Sequence, residues 1–147
     1  VTTLAANKPR RYVLDQAPVI RALPVVASDI IYDGACVGES STTGTARPLT
    51  DGDTFLGFAE GKADNAAGAA GDVKVRLRVR GTVVLSSGVL GGTPAITKLG
   101  DSVYATDDDT FSLTDSGSDT RIGTLVQYDT ETSESYVAYE AAAERSI

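Results

Sequence analysis

The stretch at residues 71–85, GDVKVRLRVRGTVVL, constrains the chain more than any other. Val73, Val75, Leu77 and Val79 alternate with Lys74, Arg76, Arg78 and Arg80. A period of two sends the two sets to opposite faces of a β-strand, one apolar and one carrying four cations. A helix would scatter both sets around its circumference. Gly81 then gives the strand a place to kink before Thr82 to Ser86.

A row of cations is unexpected in this chain, because its net charge is −7. The charge is also unevenly spread. Residues 1–98 hold 11 Lys/Arg against 9 Asp/Glu, whereas residues 99–147 hold 2 against 11. A basic front and an acidic back can pair with each other or present two different surfaces.

The rest of the chain also reads as β. Residues 29–32, 35–38, 54–60, 103–106, 110–113, 120–128 and 135–141 are strand candidates, separated by turn chemistry such as Asp33-Gly34 and the Asp107-Asp108-Asp109 run. Gly57 stands inside one of them, where a bulge or a close backbone approach is expected. Residues 39–53, 61–71 and 87–102 read as loops. At 147 residues the chain has the size of one domain with a proper core. The expected fold is mostly β: a single compact β-barrel or β-sandwich over residues 29–147, with an extended N-terminal arm at residues 1–28. Pro9, Pro18 and Pro24 keep that arm from being helical. It carries Lys8, Arg10, Arg11 and Arg21 against Asp15, together with apolar pieces that include Tyr12. Such a segment can dock on a neighbour or pack on its own domain. The last residues, AAAERSI, read as a short helical end or a frayed tail.

A faint internal echo runs through the chain. Gly52-Asp53, Phe55-Leu56-Gly57-Phe58 and the strand from Val73 are followed later by Gly100-Asp101, Arg121-Ile122-Gly123-Thr124 and the strand from Ser135 to Tyr139. It reads as two related β-hairpins, with too few matches to define a repeat.

Little in the chain points to catalysis. Without histidine there is no histidine general base and no Ser-His-Asp triad. Cys36 is the only cysteine, so it has no disulfide partner in the chain, and it reads as a small buried residue. The glycine-rich loop at 61–71 lacks phosphate-loop spacing. Asp107, Asp108, Asp109, Asp115 and Asp119 lack EF-hand spacing and suit turns. No enzyme activity, cofactor or metal is expected. No apolar run has the length of a membrane span, and no signal-peptide pattern opens the sequence.

The cationic strand face has three readings. Nucleic-acid binding is disfavoured by the acidic net charge and by the few aromatics available to stack bases. Docking on an acidic protein surface and pairing with carboxylates of the chain's own acidic strands both remain open.

TTLAANKPRRY at the start, TDGDTFLGFAEGKADNAAGAAGDVKVRLRVRGTVVL at the centre and GDSVYATDDDTFSL…TRIGTLVQY near the end resemble tailed-bacteriophage capsid decoration (cement) proteins. The resemblance covers most of residues 1–141 and is one of texture, with GD turns, a G-F-A strand, an A-A-G loop and V-x-V-x-V. It implies a virion structural protein, made in the bacterial cytoplasm. Such a protein binds the outer capsid surface, bridges major capsid subunits and stabilises the shell. The implied partners are the major capsid protein and neighbouring copies, as a trimer rather than a dimer, with neither nucleic acid nor membrane bound directly. The partner-binding residues would be Lys8, Arg10, Arg11, Tyr12 and Arg21 on the arm and Lys74, Arg76, Arg78 and Arg80 on the strand. A carbohydrate- or surface-binding module of a phage fibre or adhesin is the alternative, thinly supported in a chain without tryptophan.

Overall fold

A computed structural model of the chain describes residues 4–13, 18–39 and 44–142. Its order is β1 (Arg11–Tyr12), β2 (Val19–Pro24), β3 (Asp29–Ile31), β4 (Cys36–Glu39), β5 (Ala46–Pro48), β6 (Thr54–Ala59) and β7 (Ala63–Asn65). Then follow β8 (Lys74–Leu85), β9 (Leu90–Gly91), a 3-10 turn (Ile96–Lys98), β10 (Ser102–Ala105), β11 (Phe111–Ser112), β12 (Thr120–Asp129) and β13 (Glu134–Glu140). The fold is nearly all β, as expected, and the described residues include no α-helix. Eleven strands form one sheet curled into a half-barrel, and β3 pairs with β7 in a separate small sheet.

The alternating stretch is the organising strand. β8 runs unbroken through Gly81 and pairs with β2 and β13 end to end along one edge, and with β6 and β1 along the other. Val75, Leu77 and Val79 enter one core cluster with Val25, Ile31 and Val37. Val83 and Leu85 enter another with Phe55, Phe58, Phe111, Ile122 and Leu125. Tyr139 sits inside the second cluster, edge-on to Phe58 at 4.9 Å and to Phe55 at 6.2 Å. Each large apolar side chain buried here is worth about 1.5–3 kcal/mol. Gly81 makes room for that ring, since a Cβ there would stand 3.2 Å from the Tyr139 hydroxyl.

The main sheet is a palindrome. Its order is β5-β4-β6-β8-β13-β12-β10-β11-β9, and the single parallel bridge from Val25 to Ala46 in β5 matches the parallel pairing of β9 with β11. The correspondence holds bond by bond. Gly34 N–H donates to Ala59 O at 3.0 Å, and Gly100 N–H to Leu125 O at 2.8 Å. Ala59 N–H returns to Ala35 O, and Leu125 N–H to Asp101 O. Thr50 N–H is accepted by the Asp53 carboxylate, and Ser116 N–H by that of Asp119. All these pairs lie 66 positions apart (34 to 100, 59 to 125, 53 to 119).

The central glycines match as well. A register shift beside Gly57 leaves Leu56 unpaired with β4, and one beside Gly123 leaves Ile122 unpaired with β10. A Cβ at Gly57 would overlap the Arg78 carbonyl oxygen, and one at Gly123 that of Ala138. The bulge and close approach expected at Gly57 are therefore present, and they occur twice. The echo is thus a repeat of four antiparallel strands, β4-β5-β6-β8 and β10-β11-β12-β13, about a pseudo-twofold between β8 and β13. Arg80 faces Glu140 in that pair. Gly100-Asp101 corresponds to Gly34-Ala35 and not to Gly52-Asp53, whose counterpart is Ser118-Asp119.

The described part of the segment expected as an arm, residues 4–13 and 18–28, packs against the residues expected as the domain. β2 hydrogen-bonds along β8 from Lys74 to Arg80, and β1 pairs with Val83 and Val84. β8 offers an open edge beside each half of itself, and the N-terminal segment fills both within the same chain. Loop residues 39–53, 61–71 and 87–102 also hold short strands: β5 pairs with neighbouring β4, whereas β7 and β9 pair with β3 and β11, which are more distant in sequence. Residues 143–147, read as a helical end or tail, lie outside the described residues.

Candidate interaction surface

The nine cations and aromatics singled out from sequence divide into an internal and an external group. Arg10 is internal. Its side chain is 4% exposed, its NH2 group lies 2.7 Å from Asp109, and its Nε donates to Gly34 O at 2.8 Å. The guanidinium also stands 5.4 Å from the Phe111 ring centre, within cation–π range. Lys8 meets the same Asp109 carboxylate at 2.9 Å. Tyr12 lies under Arg78, whose guanidinium carbon is 4.3 Å from the ring centre. Burial pushes the Tyr12 hydroxyl far above the ordinary phenol range, more strongly than Arg78 lowers it, so it stays protonated. Arg78 is half-buried and reaches Glu60 at 3.4 Å.

The external group has five members. Lys74, Arg76 and Arg80 are exposed along β8 and form no ion pair among the described residues. Arg76 has Ala22 of β2 beside it, and Lys74 has Pro24, so small or uncharged neighbours leave both heads open. Arg80 has Glu140 as its register partner without an ion pair. Pairing within the sheet therefore accounts for Arg78 alone of the four. Arg11 is exposed and paired with Glu134 of β13. Arg21 is exposed on β2 and has a partner of its own.

The acidic run turns inward. Asp108 is buried, and its carboxylate accepts Leu4 N–H at 3.0 Å while its carbonyl accepts Cys36 N–H at 2.9 Å. Burial raises the Asp108 carboxyl to about 6, against the opposing Leu4 hydrogen bond and with the help of neighbouring Asp107 and Asp109. Asp109 holds Lys8 and Arg10. Asp115 and Asp119 accept backbone N–H groups of their own turn. These carboxylates clasp the N-terminal segment and cap turns. Among the described residues no group of three or more His, Cys, Asp or Glu is placed to hold a metal ion. Cys36 is buried, and desolvation pushes its thiol well above the usual range, which leaves it protonated and inert. A cleft of about 280 Å³ lies where the two equivalent turns meet, lined by Asp53, Thr54, Asp119, Thr120 and Arg121. Asp53 there is already held by Arg47 at 2.6 Å, and its carbonyl accepts the Thr120 hydroxyl.

Sequence reading missed one exposed group. Ile96, Leu99 and Val126 are 57%, 42% and 46% exposed, the large apolar side chains that the described surface leaves open. The available signal was the pair Ile96 and Leu99 inside a stretch read as plain loop.

Neither a protein family nor a curated protein sequence matches the chain. Among the described residues no helix is long and apolar enough to cross a membrane.

Proposed function

We propose that the chain is a virion structural protein that decorates the outer surface of a tailed-phage capsid and stabilises the shell by bridging major capsid subunits. One observation carries the reading: Lys74, Arg76 and Arg80 stand open along one strand of an acidic chain, without an ion pair among the described residues. Three cations on a rigid central strand form a fixed pattern that an anionic protein surface can match, giving specificity and faster encounter. The sequence resemblance supplies the partner class. Many copies on one shell convert weak single contacts into firm attachment. The described arm residues are engaged within the chain, so attachment rests on the β8 face.

Purified protein is expected to add stoichiometrically to capsids lacking it and to raise their disruption temperature. The Arg76→Glu, Arg80→Glu chain should keep its fold and attach weakly, and raised salt should mimic the change by screening exposed charges over about 8 Å at 0.15 M. Saturating protein that neither binds nor stabilises such shells would overturn the proposal.

A further inference from the structure

The two repeats carry the same turn in two different states. In the first, an extended segment crosses Asp33-Gly34. Lys8 N–H donates to Asp33 O at 2.8 Å, Asn7 Oδ1 accepts Asp33 N–H at 3.0 Å, and Arg10 caps Gly34 O. The second repeat has Leu99-Gly100 at the equivalent place, and a Cβ on Gly100 would meet nothing within 4 Å. Nothing among the described residues crosses that turn. The exposed Ile96, Leu99 and Val126 gather around it, because the Gly100–Leu125 hydrogen bond brings residues 99 and 126 side by side.

The first repeat also shows that the fold does not require apolar residues there. Leu99 occupies the place of Asp33, and Val126, following Leu125, the place of Glu60, following Ala59. Asp33 accepts the Gly61 N–H and Glu60 meets Arg78, so charged residues serve at both positions. Exposed aliphatics where the same backbone accepts carboxylates mark a surface that is covered by something. The flanking charges identify what. Lys98 and Asp101 sit on either side of Leu99-Gly100, and neither has an ion pair among the described residues. An antiparallel match of this turn with its own copy sets each Lys98 against the other copy's Asp101, with Leu99 near the axis.

We propose that the face formed by Ile96, Leu99 and Val126 is a self-association surface, on which two copies of this chain pack about a twofold axis. It has neighbouring copies in the proposed function meet as a twofold pair, in place of the trimer that the sequence resemblance implies, and it rests on that reading only for its setting. The contact is read in solution without a shell, so its failure and a failure of shell attachment are separate results.

The test is sedimentation velocity from micromolar to millimolar concentration. The unaltered chain should form a dimer. In the Leu99→Asp, Val126→Glu chain, which copies the first repeat, dimerisation should weaken at least about a hundredfold, because each lost apolar contact counts twice across a twofold. Circular dichroism should report an unchanged fold; if it does not, Leu99→Gln carries the same comparison. Lys98→Glu and Asp101→Lys should each weaken the dimer severalfold, and the two together should restore it. An unaltered chain that stays monomeric, a trimer as the smallest assembly, or substituted chains that associate normally would each overturn the proposal.

Discussion

The two repeats share backbone, hydrogen bonds and bulges, yet they bury their surroundings differently. The first is wrapped. β2 lies along β8, the β3–β7 pair adds its own buried Ile31 and Ala63, and residues 4–10 cross the Asp33-Gly34 turn. The second has a short 3-10 turn where the first has β3, and it leaves three aliphatics in solvent. What the repeats share is what the fold requires, and what they do not share is free to serve contacts.

Glycine substitutions test that division most severely. Gly57→Ala and Gly123→Ala each drive a methyl group into a neighbouring carbonyl oxygen at a positive or crowded backbone position. Both should destabilise by more than about 3 kcal/mol in denaturant unfolding, since the neighbouring backbone cannot give way. Gly34→Ala and Gly100→Ala should diverge. Both positions have positive φ, at 85° and 95°, which costs about 1 kcal/mol for alanine. At Gly34 the methyl also strikes the Lys8 carbonyl, so that variant should lose clearly more and release the N-terminal segment to proteolysis. Equal losses at 34 and 100 would mean that the segment does not bear on the turn.

A smaller effect separates internal from external ion pairs. Asp109→Asn leaves the Arg10 guanidinium buried with its charge partner removed, and should cost about 3 kcal/mol. Glu134→Gln removes only the partner of exposed Arg11 and should cost less than about 1 kcal/mol. Thermal unfolding of the two variants side by side measures the difference. Similar shifts in the two would show that the clasp at Asp109 is solvated.

The parts of this architecture visible in the sequence are those set by local periodicity. The Val73 to Val79 alternation gave β8 its two faces, and Gly57 announced its own bulge. The remainder depends on partners distant in the chain. β2 is preceded by Pro18 and closed by Pro24, and only the vacant edge of β8 makes it a strand. Arg78 looks identical to Arg76 in the pattern, and it is Tyr12 and Glu60 that draw it inward. The repeat was nearly hidden because, apart from the Asp, Thr and Gly that Asp53-Thr54-Phe55-Leu56-Gly57 shares with Asp119-Thr120-Arg121-Ile122-Gly123, residues 34–60 and 100–126 have few side chains in common. Their similarity lies in backbone geometry, which tolerates Phe55 in the core and Arg121 in solvent at the same place.

The clasp also carries a pH signature, confined to the repeat whose loop supplies Asp108. The folded chain raises this carboxyl from 3.8 to about 6, chiefly by burial. Between those values the folded state holds a proton that the unfolded state has released. The group's stabilising contribution is therefore complete below pH 3.8 and is lost as pH rises through about 6. Asp108→Asn removes the titration but keeps an oxygen to accept Leu4 N–H, so stability between pH 4 and 6 should slope less with pH in that variant than in the unaltered chain. Parallel pH profiles for the unaltered and Asp108→Asn chains would place Asp108 in contact with water, and the N-terminal segment would then be a loosely held strap with no charge buried beneath it.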